Sequence, residues 1–316
     1  MKKEAVILLN MGGPNNLEEV EVFLKNMFAD KNILTMKSAL LRKFVGSMIV
    51  FTRTESSQEI YRELGGKSPI VGHTKKLVAK LQERFGENVI VDFVMRYTPP
   101  FACEVVEKLN EADVDKIYLI PLYPQYSTTT TKSSLEDFEA CYHDKGGNAL
   151  LVEKKYFFEN KKYNRAIIER IKESIGGDDY SDFDIIFSAH GLPKKIVDAG
   201  DVYEKHINRH VAILEEMMLR EKMEFHAVHL AYQSKVGRME WLTPSLEDKL
   251  ADVKSQGVII FPIAFTIDNS ETDFELDVEY REIAQEMGFK EYRVAKCPND
   301  SELFVDALQE IYEKMK

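Results

Sequence analysis

The sequence predicts an α/β fold: two similar doubly wound domains, each built on a parallel four-stranded sheet. Short apolar runs of strand length alternate with longer amphipathic segments along all 316 residues. That alternation is the pattern of βαβ units with right-handed crossovers. The runs also fall into two groups of four, and the length suits two ordinary domains.

The first group is "AVILLN" (5–10), "VIVDFVM" (89–95), "KIYLIPL" (116–122) and "ALLVEK" (149–154). The second is "DIIFSA" (184–189), "HAVHLAY" (226–232), "GVIIFPIAF" (257–265) and "EYRVAKC" (291–297). Between them lie helix-like segments at 70–85, 101–112, 202–221 and 271–286. The expected division is a Rossmann-like domain over 1–155 and a second over 156–298. A terminal segment, 299–316, carries a helix free to pack back on the first domain. The stretch "ILTMKSALLRKFVGSMIVFT" (33–52) fits neither pattern cleanly. It reads as a helix packed on the core, or as an apolar lip over a flat ligand that also touches a membrane surface.

Hydrophobic residues make up 44% of the chain and charged residues 30%, as in soluble globular proteins. A net charge of −11 argues against nucleic acid or an anionic membrane as the main partner. The cysteines, Cys103, Cys141 and Cys297, are scattered and lack metal-ligand spacing. They point to a reducing compartment, with neither a disulfide framework nor an iron–sulfur cluster. "MKKEAVILLNMGG" is too short for a signal peptide and reads as a first strand entering a turn. No run approaches the ~20 apolar residues of a membrane span, so a cytoplasmic location is expected.

Ligands of such sheets bind beyond the carboxyl ends of the strands. There the sequence places "NMGGP", "RYTPP", "YPQYSTTTT", "SAHGLP", "YQSKVGRMEW" and "FTIDNSETD", expected to converge on one cleft. His190 follows a buried strand and can serve as base or metal ligand near neutral pH. Glu271, Glu275 and Glu279 recur every fourth residue, which stacks them on one helix face. Such like-charge pairs cost an isolated helix roughly 0.2–0.5 kcal/mol each. The helix dipole accounts for Glu271, beside Asp268 and Asp273, but not for the stripe continuing. One histidine and a line of oxygens suit a divalent first-row ion held loosely and passed along, unlike a closed zinc site. Arg96 and Tyr97 follow another buried strand, where a guanidinium needs an anionic partner. Ser127 and Thr128–Thr131 offer groups for a carboxylate or phosphate. "NMGGP" has neither dinucleotide nor P-loop spacing, and Met11 suits a flat aromatic ligand.

Taken together, "LLNMGGP" (8–14), "YRELGGKSPI" (61–70), "MRYTPP" (95–100), "YPQYSTTTT" (123–131), "FSAHGLP" (187–193), "YQSKVGRMEWL" (232–242) and "FPIAFTIDNSETDFELDVEY" (261–280) resemble the bacterial ferrochelatases. The resemblance covers essentially the whole chain. It implies a chelatase-like fold with a porphyrin in the interdomain cleft, and insertion of iron(II) into protoporphyrin IX with release of two protons. His190 and Glu271 would be catalytic, His190 accepting a proton on one face of the ring with Glu271 opposite. The metal path would use His190, Glu271, Glu275 and Glu279. Met11, Arg96, Tyr97, Trp241 and Phe265 match positions lining or supporting the pocket. Tyr61, Ser68, Ser127 and Ser234 match positions near the propionate end, and 33–52 matches the lip. No resident cofactor and no iron–sulfur cluster are expected, iron(II) being a substrate. The expected protein is a monomer in the cytoplasm, with peripheral membrane contact through 33–52.

Three positions depart from the pattern. Asn269 stands where the family has His and cannot titrate, Asp273 replaces an apolar residue, and Lys132 replaces a Gly. The competing readings are a coproporphyrin ferrochelatase, a cobalt or nickel chelatase, and a non-catalytic porphyrin or haem binder, which would have no use for the carboxylate ladder.

Overall fold

Glu4–Asn10 (β1) is apolar at every position from Ala5 to Leu9 and buried along that length, as a central parallel strand must be. In the computed structural model, which describes residues 3–235, 237 and 239–316, β1 pairs in parallel with Val89–Met95 (β2) on one edge. Lys116–Pro121 (β3) pairs on its other edge, and Leu150–Glu153 (β4) completes the order β2-β1-β3-β4. Glu19–Ala29 (α1), Ala39–Glu63 (α2), Ile70–Phe85 (α3), Ala102–Glu111 (α4) and Ser133–Asp144 (α5) belong to the same unit. Leu9, Val105, Val106, Leu119 and Phe138 close the core between sheet, α4 and α5.

The second unit repeats the plan. Phe183–His190 (β5) lies between Ala227–Gln233 (β6) and Gly257–Pro262 (β7), with Glu291–Val294 (β8) beyond, in the order β6-β5-β7-β8. Its helices are Lys161–Ile175 (α6), Lys194–Asp198 (α7), Tyr203–Arg220 (α8), Leu246–Asp252 (α9) and Tyr280–Glu286 (α10). In each sheet the strand order reverses beside the first strand, so each unit has a switch point at that strand's carboxyl end.

The units comprise Met1–Tyr156 with Leu308–Lys316, and Phe157–Ala307. The last helix, Glu302–Met315 (α11), therefore belongs to both. Residues 299–307, set apart in the sequence as a terminal segment, are part of unit 2. In unit 1 the Tyr312 ring meets Tyr118 edge-on and its hydroxyl donates to Glu4.

Three features sharpen or correct the sequence reading. Most of 33–52 lies in α2, whose start is capped by Ser38 accepting the Leu41 N–H at 3.3 Å. One face of α2 packs on α1 through Val20, Leu24, Val50 and Tyr61. Another exposes Leu40, Leu41, Phe44, Met48 and Phe51, the last 89% accessible. Secondly, Cys103 and Cys141 form a disulfide, with Cα atoms 4.9 Å apart. Linear spacing could not reveal it, because α4 and α5 are brought together by packing on one sheet face. Thirdly, the carboxylate segment is no α-helix: Glu271–Glu279 is a π-helix that passes into α10. Among the described residues no helix is long and apolar enough to cross a membrane.

Candidate functional site

His190 is the last residue of β5, at the switch point of unit 2. Gly191 turns the chain there: a Cβ would lie 2.8 Å from the Gln233 carbonyl, which accepts the Gly191 N–H at 2.9 Å. Tyr203, opening α8, donates its hydroxyl to the His190 carbonyl at 3.0 Å. The connection after β7 brings Glu271 to the same point, where His190 Nδ1 donates to Glu271 Oε2 at 2.7 Å. Gln233 Nε2 donates to the same oxygen at 3.2 Å, its own carbonyl fixed by Ser188 Oγ at 2.7 Å. Ser234 Oγ stands 3.2 Å from Glu271 Oε2 and donates to Glu275 Oε2 at 2.6 Å. Ser234 has φ +64, a left-handed conformation uncommon outside glycine, so backbone strain is located at the site.

Carboxylates outnumber cations here. Burial works against a charge on His190, but Glu271 and then Glu275 outweigh it and push the imidazole up to about 9. Burial raises the Glu271 carboxyl, while His190, Ser234 and Gln233 together bring it below the usual range. Burial, and then the neighbouring Glu271, push Glu275 up to about 7. At neutral pH the site therefore holds an imidazolium–carboxylate pair and a second carboxyl poised between its two forms.

The π-helix settles why the ladder aligns. In an α-helix four residues overshoot a turn of 3.6, so an every-fourth stripe drifts around the axis. Closing the turn at i→i+5, as Tyr280 N–H does on the Glu275 carbonyl, widens it and keeps the stripe in line. Glu271 and Glu275 are half-buried, and Glu279 is exposed at the outer end. Among the described residues no three His, Cys, Asp or Glu side chains are gathered to hold a metal ion. The arrangement is a line, not a cage.

The departures from the family pattern have structural partners. Asn269 is buried and caps the π-helix: Oδ1 accepts the Glu271 N–H at 2.8 Å, and Nδ2 donates to the Ile267 carbonyl at 3.1 Å. Asp268 does not serve the helix start; it accepts the Cys297 N–H at 3.0 Å and Asn299 Nδ2 at 2.7 Å. Asp273 pairs with Lys296 at 3.1 Å, and Lys132 lies 3.8 Å from Glu136. Trp241, half-buried, bridges to Pro193 beside the His190 turn, and Phe265 is half-buried after β7. Val236 and Arg238 of "YQSKVGRMEWL" lie outside the described residues.

In unit 1 the expected residues divide. Met11, half-buried after β1, accepts the Tyr97 N–H at 3.0 Å. Gly12 follows at φ +86, where a Cβ would strike Thr98 Oγ1. Arg96 and Tyr97 follow β2 and both bond the buried Asp30 carboxylate. Ser68 is buried and accepts the Ile70 N–H at 3.4 Å. Tyr61 packs into the α1–α2 contact and Ser127, fully buried, shares a hydrogen bond with Thr129 Oγ1 at 2.9 Å. Ser234, matched with these by resemblance, instead touches Glu271 and Glu275. The opposed arrangement of His190 and Glu271 also fails, since groups 2.7 Å apart cannot flank a ring. Sequence reasoning missed Gln233 and Tyr203. Gln233 had a signal, standing beside Ser234 in a quoted motif; Tyr203 had none.

Residues 3–316 match the ferrochelatase family. The chain is 69% identical to a ferrochelatase of Sulfurimonas denitrificans, over 100% of both proteins. It is 52% identical to a ferrochelatase of Nitratiruptor sp., over 99% of this chain and 100% of that one. Among solved structures it is similar to SirB from Bacillus subtilis, solved with Fe3+, at a TM-score of 0.59 and 9% identity, over 99% of this chain and 96% of that one. That last likeness is one of fold.

Proposed function

This chain belongs to the ferrochelatase family and is a lyase that inserts iron(II) into a porphyrin in haem biosynthesis, and from that premise we propose how its residues divide the work. The single observation that carries the proposal is the His190–Glu271 contact with Glu275 tied to it through Ser234. Insertion must release two pyrrole protons and strip water from the ion. Iron(II) is drawn along Glu279 and Glu275 by the excess of carboxylate. A cation arriving beside Glu271 competes for the carboxylate that holds His190 in its protonated form. The imidazole gives up that proton and becomes the base for a pyrrole N–H. Glu275, near neutral in its titration, passes protons outward to Glu279 and solvent. Glu271 and His190 act as one pair. Within unit 2, Trp241 and Phe265 offer apolar surface to a ring; within unit 1, Met11 offers the same, with Tyr61, Ser68 and Ser127 buried in that unit.

Protoporphyrin IX is the proposed substrate. The reading takes no resident cofactor and no iron–sulfur cluster, and against a cluster stand the pairing of Cys103 with Cys141 and the burial of Cys297. The protein acts as a monomer in the cytoplasm and meets the membrane face peripherally. Leu40, Phe44, Met48 and Phe51 form one exposed stripe of α2, near the exposed Lys37 and Lys43, which suits an anionic lipid surface. Flotation with anionic vesicles tests this; the wild type should float, and Phe44→Ser with Phe51→Ser should not.

The function is tested by mixing the protein anaerobically with iron(II) and either protoporphyrin IX or coproporphyrin, following loss of porphyrin fluorescence and gain of the haem spectrum. Turnover of protoporphyrin supports the proposal, and turnover of coproporphyrin alone moves the substrate. Binding without turnover of either would make the chain a carrier.

A further inference from the structure

Asp30 caps the end of α1 and is 4% accessible. Its Oδ2 receives the Tyr97 hydroxyl at 2.9 Å, the Ser133 hydroxyl, and Arg96 Nη2 at 3.4 Å. Its Oδ1 receives the Asn32 N–H at 2.7 Å, and its carbonyl receives the N–H groups of Ile33 and Leu34. One carboxylate thus joins three segments: the connection into α2, the end of β2, and the start of α5. Arg96 is held at all three nitrogens, with Nη1 3.0 Å from Asp137 Oδ1 and Nε donating to Ser133 Oγ at 3.0 Å. The Nε/Nη2 fork, the side of a guanidinium that grips a carboxylate bidentately, is taken by Ser133 and Asp30.

We propose that Asp30 is a positioning residue for porphyrin binding, and that Arg96 is a strut held by Asp30 and Asp137, not a clamp on the substrate. The proposal rests on the iron-insertion reading. Asp30 sets the loop that leads into α2 against the β2 end that carries Tyr97. Without the Asp30 oxygens the Arg96 guanidinium loses one of two acidic partners, and the Tyr97 hydroxyl loses its acceptor at 2.9 Å and keeps only the Ser133 hydroxyl at 3.5 Å. The ring-binding surface of unit 1 then loosens, while the His190–Glu271 pair, built wholly from unit 2, keeps its geometry.

The test is steady-state insertion by full-length Asp30→Ala and Asp30→Asn, with porphyrin affinity read separately by fluorescence quenching without iron. Asp30→Ala should raise the KM and Kd for porphyrin about tenfold, with kcat within about twofold and the KM for iron unchanged. Asp30→Asn, which keeps an acceptor in the same shape, should recover most of the loss. A folded Asp30→Ala chain with wild-type porphyrin Kd, or one that loses kcat alone, overturns the assignment. Should Asp30→Ala fail to fold, Ser133→Ala removes one donor and should raise the porphyrin Kd about threefold; an unchanged Kd overturns it equally. A wild type that bound porphyrin but inserted no iron would sink the functional reading, while the Asp30 assignment would still stand or fall on the Kd values.

Discussion

Two charged networks stand at the carboxyl ends of the two sheets, and they are built on opposite principles. In unit 1 one guanidinium, Arg96, meets two carboxylates, Asp30 and Asp137, with the Ser133 hydroxyl on its Nε and the Tyr97 hydroxyl on Asp30. In unit 2 one imidazole meets a carboxylate with a second beside it and a third at the rim. The first network pairs a half-buried guanidinium with the buried Asp30 and the half-buried Asp137. The second has a histidine far above its ordinary range and a carboxyl held near neutrality. Buried ion pairs of the first kind specify geometry more than they stabilise. Displaced titrations of the second kind mark reactive sites. Within one fold, what separates scaffold from chemistry is the cation: a guanidinium that keeps its proton in one network and an imidazole that can release it in the other.

The most severe way to probe this contrast is His190→Ala. It should reduce iron insertion at least about a hundredfold, with porphyrin affinity largely intact by fluorescence quenching. Retained turnover would remove the assigned base.

A purely structural element of unit 1 should behave in the opposite manner. The Cys103–Cys141 disulfide closes a sequence separation of 38 residues. Cys141→Ser should lower the unfolding free energy by about 3–4 kcal/mol in denaturant titrations, with kcat unchanged in the fraction that stays folded.

The pH dependence of stability is diagnostic for unit 2. His190 is raised from 6.5 to about 9, so its stabilising contribution is complete below pH 6.5 and is lost as the pH rises through about 9. Glu275, raised from 4.5 to about 7, costs stability as the pH climbs through that interval. Glu271, lowered, acts only at the acid end, its contribution disappearing as the pH falls. Unfolding midpoints should therefore fall between pH 6.5 and 9 for the wild type and fall less for His190→Gln. Equal slopes would contradict the pairing.

The smallest effect belongs to the cap. Asn269→Ala removes the acceptor of the Glu271 N–H and should cost about 1 kcal/mol. Asn269→His should leave insertion close to wild type, because this position holds the π-helix start and carries no proton.

Much of this contrast could be read from the sequence, and the reasons for the rest are specific. The eight strands were legible because parallel strands buried on both faces read as unbroken apolar runs. His190 and Glu271 were legible because strand ends and like-charge spacing are local signals. The π-helix was not, since an every-fourth stripe is compatible with either helix type. Asp30 was invisible for another reason: its partners, Tyr97 and Ser133, lie far along the chain and are united only by β2 and α5 converging. The disulfide was hidden in the same way. Ser234 was legible as a site residue, but its partners were not, because they depend on where the connection after β7 places the π-helix.

The measurement that bears most directly on the contrast between a fixed and a titratable cation is kcat for iron insertion at saturating porphyrin, compared between Glu271→Gln and Asp137→Asn. Both changes remove one carboxylate charge from a network at a strand end. The account predicts a loss of about a hundredfold or more for Glu271→Gln and a change within about twofold for Asp137→Asn. Comparable losses in the two variants would contradict it.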